Sequence, residues 1–175
     1  MENQNNSNRP LLTGMFSDRE STEAAYNNLH EKGYKKDDIH VLMSDDTRKK
    51  HFSDTDTEIG TKAAEGLGKG SAIGGAVGAI AGVVAAIGTS LVIPGLGLVI
   101  AGPLAAGLAG AGAGGLTGGV IGALVGAGIP EQRARIYEEG IKKGKVVVGV
   151  HPRNEEDEKY FQNNWKNYHA EDVQH

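Results

Sequence analysis

The chain contains no cysteine. That excludes a disulfide scaffold, a thiolate metal site and a thiol nucleophile. Aromatic residues are scarce, 5% of 175, so any aromatic cluster becomes a candidate for packing or assembly. The largest deficit is charge. From Gly70 through Pro130, 61 consecutive residues include no Asp, Glu, Lys, Arg or His, and no ionic or acid–base site can be built from that stretch alone. The 18 basic and 22 acidic residues all lie in its flanks and leave a net charge of -4, without the basic excess that a nucleic-acid partner demands. The opening "MENQNNSNRPLL" is polar and shows no apolar core followed by a small-residue cleavage site, so no secretory signal is expected.

Glycine fills the charge-free stretch. In "GLGKGSAIGGAVGAIAG" it recurs at Gly66, Gly70, Gly74, Gly78 and Gly82, and in "GAGAGGLTGGVIGALVG" at Gly110, Gly114, Gly118, Gly122 and Gly126. A glycine in an exposed helix costs about 1 kcal/mol against alanine, so five at one spacing need a compensating gain. A step of four lays them in a stripe along a helix, and a bare stripe lets a second helix approach backbone to backbone. The spacing therefore predicts a glycine-zipper helical hairpin over 66–129, with the ten glycines as its helix-packing and oligomerisation surface. Ser71 to Ile93 supplies 23 uncharged residues and Pro103 to Ile129 supplies 27, against the roughly 20 that cross a bilayer. Pro94 and Gly95 mark the turn between them. Lys62 and Lys69 precede the first span, and Arg133, Arg135, Lys142 and Lys143 follow the second. Both basic flanks then fall on one side, which the positive-inside rule assigns to the cytoplasm. The alternatives are a flexible linker, or a hairpin buried inside a soluble oligomer.

The flanks read as alternating strands and helices. Residues 1–10 form an Asn-rich tail expected to be disordered. "LLTGMF" suits a strand, and "SDRESTEAAYNNLHEKG" a helix with Ser17 and Glu20 in capping-box spacing and Gly33 at its end. "DDIHVLMS" alternates Ile39, Val41 and Met43 along one side of a second strand. "DDTRKKHFSDTDTEIGTKAAE" is a polar connector that becomes helical towards the glycines. "IPEQRARIYEEGIKKG" places Ala134, Tyr137 and Ile141 on one helical face, with Pro130 at its start and Gly144 at its end. "KVVVGVHP" is a third strand. The segment 154–175 forms a C-terminal helix and tail with Phe161, Trp165 and Tyr168 in one stripe. The expected fold is α+β: a discontinuous domain of 11–65 and 130–153, with a three-stranded sheet covered by helices from one side as in a ferredoxin-like half-sandwich, interrupted by the hairpin.

The polar residues assemble no recognisable chemistry. His30, His40, His51, His151, His169 and His175 include no pair at helical metal-ligand spacing. "SDDT", "SDTDTE" and "NEEDE" lack the glycine and terminal Glu of a calcium loop and are read as helix caps and solvated faces. "GLGKGS" lacks the P-loop spacing. Ser17, Ser44 and Ser53 sit in no nucleophile context. No catalytic, metal or cofactor-binding residue is expected.

With those residues in place, the chain resembles bacterial heat-induced general stress proteins of the YflT-like kind. The likeness rests on "TGMFSDRESTEAAYNNLHEKGYKKDDIHVLMSDDTR", then "IGTSLVIPGLGLVIAGPLAAGLAGAGAGGLTGG" and "GIPEQRARIYEEGIKKGKVVVGV", from Thr13 to Val150. It implies stress-linked expression and carries over no catalytic residues. The expected function is a non-enzymatic stress-response protein that self-associates and associates with the lipid bilayer through the hairpin, its termini in the cytoplasm. Two alternatives stand beside it: a soluble, cytoplasmic homo-oligomeric assembly with buried hairpins, and a small-ligand regulatory module.

Overall fold

Strand β1 (Leu12–Phe16) leads through α1 (Arg19–Glu31) and a 3-10 turn (Lys36–Asp38) into β2 (Ile39–Ser44) and α2 (Asp45–Phe52). After β3 (Leu91–Ile93) and β4 (Leu98–Ala101) come α3 (Gly119–Gly126), α4 (Glu131–Lys142), β5 (Val146–Val150), α5 (Glu155–Asn167) and β6 (Glu171–Gln174). The computed structural model describes residues 9–52, 91–93, 97–105, 119–126 and 128–174. All six strands join one sheet in the order β3-β4-β2-β5-β1-β6, and every neighbouring pair is antiparallel.

The α+β class is as expected, but the sheet has six strands instead of three, and helices cover both of its faces. On the first face Leu12, Phe16, Ile39, Val41, Met43, Val99, Ala101, Val146, Val148 and Val150 pack with α1, α2 and α5. On the second, Met15, Leu42, Leu98, Ile100 and Val147 pack with α3 and α4. The half-sandwich expectation fails for a reason visible in β5. Every residue of "VVVGV" is buried, and a continuous apolar run is the mark of a strand covered on both sides.

The local signals mostly act as read. Ala134, Tyr137 and Ile141 are the buried stripe of α4. Asn154 caps α5 by accepting the Asp157 N–H at 2.7 Å. At α1 the capping residue is Asp18, not Ser17: its Oδ1 accepts the Ser21 N–H at 2.8 Å, while the Ser17 hydroxyl donates to Glu171 at 3.1 Å. The polar stretch after β2, expected as a connector, turns helical at once. Ser44 Oγ accepts the Thr47 N–H at 3.0 Å, and Asp45 pairs with Arg48 and Lys49 one turn on, at 2.8 and 2.6 Å. The C-terminal tail supplies β6, which pairs with β1 through Thr13↔Gln174 and Met15↔Glu171 around an irregularity.

The interval 66–129 is also not a helical hairpin throughout. Leu91–Ile93 and Leu98–Ala101, placed where the hairpin was to turn, form a β-hairpin in the register Leu91↔Ile100, Val92↔Val99 and Ile93↔Leu98. Leu104, Ala105, Val120, Leu124 and Ile129, expected within the second span, are buried against the sheet. Seating them there satisfies their apolar surface without lipid. Among the described residues no helix is long and apolar enough to cross a membrane.

Candidate functional site

The second face of the sheet holds both the end of a glycine stripe and the most unusual polar group of the domain. Gly66, Gly70, Gly74, Gly78, Gly82, Gly110, Gly114 and Gly118 lie outside the described residues. Gly122 and Gly126 are on α3, which Val120 and Leu124 seat in the core. Gly126 is exposed, and a Cβ built on it meets nothing within 4 Å among the described residues. Beside it Val125 is 43% exposed, and on α4 Ile136 is 46% exposed. One side of α3 is thus fixed to the sheet, and the other presents a bare backbone next to an uncovered valine.

Beneath these helices the face changes character along one line of cross-strand neighbours. Gly149 of β5 stands opposite Thr13 on one side and opposite His40 on the other. A Cβ at Gly149 would come within 3.2 Å of Thr13 Cγ2 and 3.5 Å of His40 Cβ, so the missing side chain makes room for both. Thr13 shares a hydrogen bond with the Tyr137 hydroxyl of α4. Burial pushes that phenol up to about 12, and it stays protonated at any physiological pH.

His40 is 2% exposed. Its Nδ1 accepts the backbone N–H of Leu104 at 3.2 Å, so the neutral ring carries its proton on Nε2. That Nε2 is buried and has no partner among the described residues. The His151 ring stands edge-on to it with centroids 5.5 Å apart, and His151 Nδ1 lies 2.8 Å from the Arg9 carbonyl oxygen, to which it donates. Burial first, and His151 second, lower His40 to about 3, with Asp38 opposing weakly. Among the described residues no three His, Asp or Glu side chains gather as a metal site.

A second polar cluster clamps the first face. The Tyr34 hydroxyl donates to Asp157 at 2.7 Å and accepts the Arg153 N–H at 2.8 Å. The Arg153 guanidinium stacks over the Tyr34 ring at 4.0 Å. Every member is paired, so this cluster fastens α5 to the turn after α1. The aromatic stripe also packs inward, with Phe161 and Trp165 fully buried and Tyr168 against the same core.

The period-four glycines were legible from spacing. His40 was not singled out, because its hydrogen-bond partner lies 64 residues away. Its only trace is one histidine at an inward position of a strand otherwise apolar from Ile39 to Met43. No protein-family model matches the chain, and no curated protein or solved structure does.

Proposed function

We propose that this chain is a non-catalytic bacterial stress-response protein that acts by self-association. In this reading the six-stranded domain is a rigid carrier, and the charge-free, glycine-striped segment is the assembly element. The observation that supports it is the outer side of α3: among the described residues, open space over Gly126 and an uncovered Val125 beside it, on a helix whose other side is anchored by Val120 and Leu124. A helix so held presents a close-approach surface at low entropic cost.

The lipid bilayer is the alternative partner, favoured by the absence of charge from Gly70 to Pro130. Sedimentation of the full chain in detergent-free buffer, with and without phosphatidylglycerol vesicles, separates the two. Self-association predicts a defined oligomer without vesicles, which Gly126→Leu weakens. Flotation with vesicles from a monomeric pool supports the lipid reading. A monomer that ignores vesicles would sink both.

A further inference from the structure

We propose that His40 is an acid-released latch on the turn Gly102–Ala105, the segment that leads from the sheet towards residues 106–118. Two contacts hold this turn to β2. Gly102 lies with φ +89 directly on the Ile39 carbonyl, where any Cβ would collide with the oxygen. Leu104 donates its backbone N–H to His40 Nδ1. The turn closes on itself through the Ala105 N–H to the Gly102 carbonyl at 2.9 Å. Of its ties to β2, only the Leu104 bond contains a group that can change protonation state.

A protonated imidazole has donors at both nitrogens and no acceptor. Protonation of His40 therefore turns the Leu104 contact into donor against donor, and places a cation where exposure is 2%, with the His151 ring alongside. The surroundings offer little relief. Asp38 of the 3-10 turn is the acidic group that acts on His40, and it is outweighed by burial and by His151. The turn itself and α3 carry no charge. On α4 the nearby titratable group is Tyr137, itself near Arg133 and Asp172. The latched state thus rejects the proton, whereas a released His40 in water accepts it with the ordinary value near 6.5. Linkage then raises the ratio of released to latched chains as pH falls below 6.5, by up to about tenfold per pH unit, and on the order of a hundredfold between pH 7 and 4.

The test is amide hydrogen exchange on the full chain from pH 7 to 4, corrected for intrinsic exchange, comparing Leu104 with Val148 of the central strand β5. The latch predicts that Leu104 loses protection on the order of a hundredfold through a local opening that added urea hardly changes, while Val148, which waits for global unfolding, stays better protected at every pH and loses protection with urea. His40→Asn supplies an acceptor near the Nδ1 position that does not titrate, and it should flatten the pH dependence of the local opening at Leu104. Should that variant not fold, the ring nitrogen-15 shifts of the wild-type protein read the same event. They should show a bare Nδ1 at neutral pH, and ring protonation in step with exposure of Leu104. Equal protection and equal urea dependence at Leu104 and Val148, an unchanged pH dependence at Leu104 in a folded His40→Asn, or a protonated ring beneath a protected Leu104 would each overturn the latch.

Discussion

Tyr34 and Asp157, 123 residues apart, are joined by a 2.7 Å hydrogen bond from the phenol to the carboxylate. The same phenol accepts the Arg153 N–H, so one buried hydroxyl fixes both the turn after α1 and the first turn of α5. Tyr34→Phe keeps the ring under the guanidinium but leaves those two groups without their partner. It should cost about 1–2 kcal/mol, read as a lower urea midpoint. Tyr34→Leu also removes the stacking and should cost about a further 1 kcal/mol.

Gly102 and Gly128 share a backbone conformation, φ +89 and +90, but not an environment. At Gly128 a Cβ would meet nothing within 4 Å among the described residues, while at Gly102 it would strike the Ile39 carbonyl. Gly128→Ala should therefore cost only the left-handed strain of about 1–2 kcal/mol. Gly102→Ala should cost at least about 2 kcal/mol more, because backbone must move. Denaturant titration of the pair measures the difference, and equal losses would show that β2 and the turn are not in contact.

His40 binds its proton less readily folded, at about 3, than unfolded, near 6.5. The unfolded chain thus holds more protons between those values, and the stability present above pH 6.5 is lost as pH falls towards 3. Between pH 6 and 5 the loss from this group should be about 1 kcal/mol. Asp45, Glu155 and Glu171 are lowered by their lysine and arginine partners, so their contributions fade at more acid pH. Urea titrations at pH 6 and 5 should show the loss in the wild type and a flatter response in His40→Asn.

Trp165 is the single tryptophan and is fully buried, with Phe16 edge-on at 5.9 Å and Phe161 at 6.1 Å. Its emission should be blue-shifted in the native protein and move to the red on unfolding, reporting the junction of α5 and β1. Trp165→Ala should destabilise by about 3–5 kcal/mol. Native emission at the wavelength of free indole would contradict this packing.

Along the chain, periodicity determined what each local segment could become. Ile39, Val41 and Met43 specify a strand face, and Ala134, Tyr137 and Ile141 a helix face, because backbone geometry alone sets periods of two and 3.6. Asn154 and Gly144 are equally local, each answering to the hydrogen bonds or dihedral of its own turn. Where periodicity is silent, the sequence could not choose. "LVI" and "LVIA" are short apolar runs that fit a buried helix or a strand alike, and pairing of Leu98–Ala101 with β2 decided for the strand. Glu171–Gln174 looks like a solvated tail until the free side of β1 offers it a ladder. The glycine spacing was plain in the sequence, but which side of α3 is left bare depends on Val120 and Leu124 meeting the sheet. The hydrogen bond from Leu104 to His40 is furthest from sequence reading. It exists only because Gly102 lets the chain cross the Ile39 carbonyl, a contact between distant residues that tertiary packing alone creates.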